Sequence, residues 1–524
     1  RAGTVDDIAC ADDGCNWASC STGRPFSVFR TAVGYDKRML LHQQTPSQAL
    51  KFAGKAAADP QPGAAASSDD ADPAKVVRGV VDSLIERVES ASLSGALEPE
   101  VLSEHPERPD RASCAYRRIE HCDLLENTLK VENRLATDNE IRMAHDSAYM
   151  RSIFDQTLSL DDFEDCYRNG DTPLATKLAA GTTVAVVDAV LKGQAANGVA
   201  VVRPPGHHAC SHKAAGFCFL NNVAIAARAA QKQGAKRILI IDWDVHHGNG
   251  TQDIFYEDPS VLTISIHRGD PGFFPQSGKP DEMGKGKGEG FNINVAWSSS
   301  GMGDSEYMLA FSRIVTPVAL QFQPEVIVVA AGFDAGKGDP WGECSVSVPG
   351  FAHLTQHLMG LAGGKVVLVL EGGYNLKTVS HSLAACVRVL RGAPPPPLTE
   401  VAPPLGTAVR DIRITENRAG QYWSVFGTSR TVATRQEMEE MEALAAGNSG
   451  SARIHSQLGD LNLLTVIQLR KLCVTRQLGT KGQKMDLVGK LHAADRQCDD
   501  AKRVWRLQGH KWIGQRLKRT FKGY

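Results

Sequence analysis

The chain has 524 residues, 42% of them hydrophobic, and a formal net charge of −1. That length exceeds what one hydrophobic core usually supports, so one large domain plus a smaller module is expected. No run of about 18 uninterrupted apolar residues occurs, so no membrane span is expected, and twelve scattered cysteines argue against a disulfide framework.

Residues 1–28 show no period and are expected to lack a stable fold. A low-complexity insertion follows at about 44–98, rich in Ala, Pro, Ser and Asp, with one short helical pattern at Ala74–Ser90. From Thr172 onward, helical segments alternate with short apolar runs. Leu174–Leu191 reads as a helix and residues 199–203 as a strand; Asn221–Gln233 is a helix and 237–242 a strand. Further strands are predicted at 261–267, 290–297, 325–333 and 365–371, with a helix at Ser305–Phe322. Continuous apolar strands alternating with helices predict an α/β domain over 29–428, its sheet mostly parallel and flanked by helices. A last helix, Ala408–Val425, should close this domain after the proline run Pro394–Pro397.

The remainder divides into a linker at 429–457, a small all-α module at 458–497 and a basic tail at 498–524. From Ser451 to Tyr524 there are 16 Lys or Arg against 5 Asp or Glu, a balance of +11, which leaves −12 on the rest of the chain. An acidic body with a basic end suggests a working part and a polyanion-holding part; a merely solvated tail is the plain alternative.

Chemistry-bearing residues fall where predicted strands end. Strand 199–203 runs into Pro204-Pro205-Gly206-His207-His208, and strand 237–242 into Asp242-Trp243-Asp244-Val245-His246. Strand 325–333 stops at Asp334, and strand 365–371 leads to Gly372-Gly373-Tyr374. In open α/β sheets ligands gather beyond the carboxyl ends of strands. Singly, each feature has an ordinary structural explanation: a capping Asp, a turn-shaping His pair, a buried phenol. Four strand ends delivering acids, imidazoles and a phenol to one rim point instead to a site. Asp244, His246 and Asp334, if they converge, supply three ligands and leave a metal position open to water and substrate, as in catalytic zinc.

Seven stretches together resemble the histone deacetylase family, and its class II branch in particular: HPERPDR (105–111), RPPGHHA (203–209), GFCFLNN (216–222), DWDVHHGNGTQ (242–252), SIHRGDPGFFP (265–275), AAGFDA (330–335) and LEGGYN (370–375). The resemblance spans roughly residues 30–428 outside the insertion and implies an arginase/deacetylase-like fold and zinc-dependent removal of acetyl groups from lysine side chains. It implies that Asp244, His246 and Asp334 hold Zn2+. His208 is then the general base and acid, with His207 its electrostatic partner and Asp242 fixing the tautomer of His207. Tyr374 would stabilise the oxyanion, while Phe217 and Phe274, with Gly216 and Gly373, would line a tunnel for the lysine stem. Ser265 marks the family's monovalent-cation site, for potassium. Asn249 stands behind His208 where other branches have Asp. Tyr374 replaces the His of weakly active class II members, and the Cys/His insertion of that subgroup is not evident near 40–105.

Residues 459–495 resemble the SAP motif, a small helical DNA-binding unit, with Arg470, Lys481 and Lys484 as its candidate DNA contacts; a protein-docking hairpin is the alternative. The expected partners are acetylated histone tails or other acetyl-lysine proteins, DNA through the carboxyl-terminal module and tail, and a corepressor complex, with no membrane. The expected location is the nucleus, with the cytoplasm as a second location. Two further readings stay open: a deacetylase of acetylpolyamines or of a cytoplasmic protein such as tubulin, and an acetyl-lysine-binding scaffold with negligible turnover.

Overall fold

The computed structural model describes residues 30–44, 105–157, 165–398 and 402–426. The expectations for residues 1–28, for the insertion past Gln44 with its helix at Ala74–Ser90, for the linker, the SAP-like module and the basic tail lie outside the described residues. So do Arg470, Lys481 and Lys484.

In chain order the elements are β1 (Thr31–Gly34), α1 (Asp110–His121), β2 (Leu129–Lys130), α2 (Asp138–Ile141), α3 (Ser147–Phe154), α4 (Thr172–Leu191), β3 (Asn197–Ala200), α5 (Asn222–Lys232) and β4 (Ile238–Asp242). They continue with α6 (Asn249–Phe255), β5 (Val261–Arg268), β6 (Asn292–Trp297), α7 (Asp304–Ala310), α8 (Thr316–Phe322), β7 (Val326–Ala331), α9 (Val348–Met359), β8 (Val366–Leu370), α10 (Leu376–Leu390) and α11 (Gly406–Ala419).

The eight strands form one sheet in the order β2-β1-β3-β8-β7-β4-β5-β6. Every pairing is parallel. Because side chains alternate along a strand, each strand feeds both faces. Leu239, Ile241, Ile327, Val329, Leu368 and Leu370 point into one core with α1, α9, α10 and α11. Ile238, Ile240, Val326, Val328, Val367 and Val369 point into the other, with α3, α4 and α5. Each such fully buried aliphatic contributes roughly 1.5–3 kcal/mol of transfer free energy. This is the predicted α/β architecture.

Helix α4 is long and apolar enough to cross a membrane by length and composition, yet most of it is buried in the fold. Pro173 sits in its first turn, where a missing N–H costs nothing. Strand β3 begins two residues before the predicted 199–203 and ends at Ala200, while Val201 and Val202 stay buried beyond it. The single helix expected at Ser305–Phe322 is in fact α7 and α8 joined by one wide turn, Phe311–Val315, in which Thr316 N–H donates to Phe311 O. Pro317 explains it: without an N–H it cannot close the ordinary helical bond there. The last helix stops at Ala419, followed by Gly420 and a short 3-10 turn at Ser424–Phe426, rather than running to Val425.

Candidate active site

The carboxyl ends of β3, β4, β7 and β8, four adjacent strands, open onto one rim. From β4 the chain turns sharply, and the carboxylates stitch that turn: Asp242 Oδ1 accepts from Asp244 N at 3.1 Å and Asp244 Oδ1 from His246 N at 2.9 Å. Neighbouring loops are tied in the same way. Asp334 Oδ1 accepts from Val245 N at 2.8 Å, and Asp244 Oδ2 from Gly372 N at 2.9 Å. Gly332 and Gly372 must be glycine here, since a Cβ on either would collide with the carboxylate of Asp244.

These ties aim three donors at one point. His246 Nδ1 lies 3.1 Å from Asp244 Oδ1 and 3.2 Å from Asp334 Oδ2, all three residues largely or wholly buried. Tetrahedral zinc with bonds near 2.0–2.1 Å would hold its ligand atoms roughly 3.3 Å apart, so the set fits such an ion. Its charge asks for one too. Burial, reinforced by the charge of Asp244, pushes the Asp334 carboxyl up to about 7. His246, despite burial, is raised to about 9 by the two carboxylates. A divalent cation at the point of convergence would relieve that repulsion.

The two histidines next to this set are in different electrostatic states. His207 Nδ1 is 2.9 Å from Asp242 Oδ2. Burial opposes its charge, but Asp244 and Asp242 outweigh burial and hold its pKa well above the usual value. His208 goes the other way: burial first, then the positive charge of His207 only 3.9 Å away between ring centroids, keep it neutral. Its Nδ1 is 2.7 Å from Asn249 Oδ1. The Asn249 amide nitrogen in turn donates to Cys210 Sγ at 3.5 Å, which leaves the amide oxygen facing His208. His208 Nδ1 therefore carries the proton and Nε2 presents a lone pair.

Tyr374 is placed by its backbone: its N–H donates to Asp339 Oδ2 at 2.6 Å. Burial and the nearby Asp334 raise its phenol well above the ordinary range, so it stays a donor. Phe217 lies 5.8 Å from the Tyr374 ring and Phe274 5.0 Å from His208. Gly216 is required at φ +52°, where a Cβ would strike the His208 ring. Gly373 adopts φ +109° in the turn leading to Tyr374.

Ser265 Oγ is 2.8 Å from His267 Nδ1, and His267 Nε2 is 3.0 Å from Gly278 O. A carbonyl only accepts, so Nε2 carries the proton and Ser265 donates to Nδ1. The serine oxygen thus keeps its lone pairs free of that bond.

Sequence reading missed four contributors. Phe273 stacks on His246 at 5.0 Å. Asp339 holds Tyr374. Arg111, quoted only as part of a motif, donates to Gly373 O at 2.6 Å and to Glu371 O. Glu371 itself is buried beside the histidines. The acids had a usable signal: a charged residue closing a buried apolar strand, or following Gly at a loop apex, is seldom incidental.

The histone deacetylase domain family matches residues 105–390 of this chain. Histone deacetylase 15 of Arabidopsis thaliana is 44% identical over 295 residues, covering 56% of this chain and 53% of the relative. The polyamine deacetylase HDAC10 of Danio rerio is 40% identical over 364 residues, 67% of this chain and 54% of the relative. The chain thus spans about half the length of the curated relatives it matches. The crystal structure of the HDA15 HD domain superposes with a TM-score of 0.62 at 36% identity, covering 76% of this chain and 98% of that one. Sheet, rim and sequence agree, and the chain belongs to the histone deacetylase family.

Proposed function

We propose that this chain is a zinc-dependent deacetylase that hydrolyses the acetyl amide of acetylated lysine side chains. The observation that carries the reading is the convergence of Asp244, His246 and Asp334 beside a neutral His208 and a protonated Tyr374. Zinc, when bound by those three residues, polarises the acetyl carbonyl and lowers the pKa of water. The rest is done by the chain. Phe217 and Phe274, whose rings pack against Tyr374 and His208, would line a slot for the methylene stem of lysine. Tyr374 donates to the carbonyl oxygen as it becomes an oxyanion, an interaction that strengthens only on the way to the transition state. His208 Nε2 takes a proton from the attacking water and returns it to the lysine nitrogen as the C–N bond breaks. His207, held charged by Asp242 and Asp244, offsets the negative charge that develops. Potassium at Ser265 would brace the turn after β4.

Acetylated histone tails are the proposed substrates, in the nucleus and within a corepressor complex. The histone deacetylases among the relatives support this, and the +11 balance of residues 451–524 suits a hold on DNA in which Arg470, Lys481 and Lys484 would make the contacts. A second reading, acetylpolyamines, is favoured by relatives named polyamine deacetylases at 40–41% identity. The deciding experiment measures acetate release from acetylated histone-tail peptides and from acetylspermidine, for the intact chain, Tyr374→Phe and Asp334→Asn. Tyr374→Phe should lower kcat by roughly 10²–10³-fold. Release that persists in both variants, or none from either substrate with zinc bound, would overturn the reading.

A further inference from the structure

Glu371 is a fully buried acid that the mechanism above does not use. It closes β8 immediately before the Gly372-Gly373-Tyr374 turn, yet its side chain reaches across to the neighbouring strand end. Glu371 Oε2 accepts from Gly206 N at 2.6 Å and from His207 N at 3.1 Å. Its other oxygen, Oε1, is buried and has no hydrogen-bond partner among the described residues. The His207 peptide is gripped on its far side as well, where Gly250 N and Thr251 N, at the start of α6, donate to His207 O at 3.0 and 3.2 Å. The segment bearing both imidazoles is therefore clamped between a helix amino-terminus and this one carboxyl group. Glu371 is anchored in its turn: Arg111 donates to its carbonyl and to that of Gly373.

We propose, resting on the deacetylase reading, that Glu371 is a positioning residue that locks the His207–His208 segment to the Tyr374 turn, so that proton transfer and oxyanion donation keep a fixed mutual geometry. β3 and β8 are adjacent parallel strands, and beyond their last paired residues the chains diverge into separate loops. The Glu371 side chain replaces the lost ladder contacts at the place where the reacting groups must stay in register. A metal role for the carboxyl fits less well. Although Glu371, His207 and Cys218 offer ligand atoms within 4.8 Å of one another, His207 Nδ1 is committed to Asp242 and burial pushes the Cys218 thiol well above its usual range. Burial also raises Glu371 to about 7 against the pull of His207. Its neutral form is thus readily populated, and an amide should substitute for it.

The test compares Glu371→Gln, which keeps an acceptor oxygen, with Glu371→Met, which fills the space and orphans both N–H groups, in the zinc-loaded full chain. Displacing reacting groups by a fraction of an ångström should lower kcat in the Met variant by roughly 10- to 100-fold, with KM and zinc content unchanged and kcat largely restored by Gln. A readout independent of turnover is the downfield imidazole N–H resonance of His207 on Asp242, which should shift in Met and return in Gln. If the unaltered chain releases no acetate, the deacetylase reading fails while this resonance still decides the positioning. Should the Met variant not fold, Glu371→Asp, which withdraws the carboxyl by one methylene, must show the same loss. Wild-type kcat with an unmoved resonance, or a rise in KM alone, in whichever of the two variants folds overturns the proposal.

Discussion

Two buried clusters of charge lie close behind the rim, and they are balanced oppositely. At Asp244, His246 and Asp334, two carboxylates face one imidazole. At Glu107, one carboxylate faces two guanidiniums: Oε1 accepts from Arg203 Nε at 2.9 Å and Arg111 Nη1 at 3.1 Å, and Oε2 from Arg203 Nη2 at 2.7 Å and the Tyr167 hydroxyl at 3.1 Å. The carboxylates of both clusters are fully buried. Burial alone would raise both acids, yet Arg203 and Arg111 outweigh it and hold Glu107 well below the usual carboxylate range, whereas Asp334 is driven up. A buried charge is thus no mark of function by itself. The cluster with paired charges suits a structural role, and the one left with a surplus of negative charge could hold a cation.

That distinction can be broken most directly at Asp334. Asp334→Asn should abolish stoichiometric zinc binding and cut acetate release by roughly 10³-fold or more. It should also leave the melting temperature of the chelator-treated protein equal to or above that of the unaltered chain, because it removes a repulsion. A clear fall in that temperature would mean the acid is structural after all. Glu107→Gln should do the reverse. Leaving two buried guanidiniums without their counter-charge costs about 3–5 kcal/mol, seen as a large drop in melting temperature, while the protein that remains folded still binds zinc.

A smaller effect separates both clusters from a third kind of buried polar group, one satisfied only when uncharged. His145 Nδ1 is 2.9 Å from Cys210 O, and its Nε2 accepts from Asn221 N at 2.9 Å. Burial lowers its pKa to about 4. The unfolded chain takes up this proton near 6.5 and the folded chain resists it until about 4, so stability present above pH 6.5 is lost as pH falls through that window. At pH 5 the loss amounts to about 2 kcal/mol from this residue. Melting temperature measured from pH 8 to 5 should decline, and His145→Gln should flatten the decline. An identical slope in the variant would remove His145 from the account.

The sequence exposes the candidate ligands because they stand immediately after apolar strands, where a polar side chain has no packing reason to be. Asp242, Asp244, His246, Asp334 and Tyr374 are all legible in that way, and so is the parallel sheet. Partnerships across the chain are less so. Glu107 and Arg203 are 96 positions apart, and nothing local in either segment announces the other. Asp339 and Glu371 stand out as acids at a loop apex and a strand end, but the backbone N–H groups they hold leave no trace in residue type. Strand β1 is only four residues, Thr-Ala-Val-Gly, too short and too small for an alternation to register. The wide turn in α7–α8 did have a signal in Pro317, but the apolar spacing on either side reads straight through it.

His42 and His105 flank the segment 45–104, yet both rings pack on one phenol, with centroids 4.5 and 4.6 Å from that of Tyr167. The described residues on either side of that segment therefore meet at a single side chain. Closing a loop between such neighbours has an entropy that grows only with the logarithm of its length, about 0.6 kcal/mol for each doubling. The stem at Tyr167 can therefore hold the domain's framework in place at little extra entropic cost whatever the length of chain that joins His42 to His105.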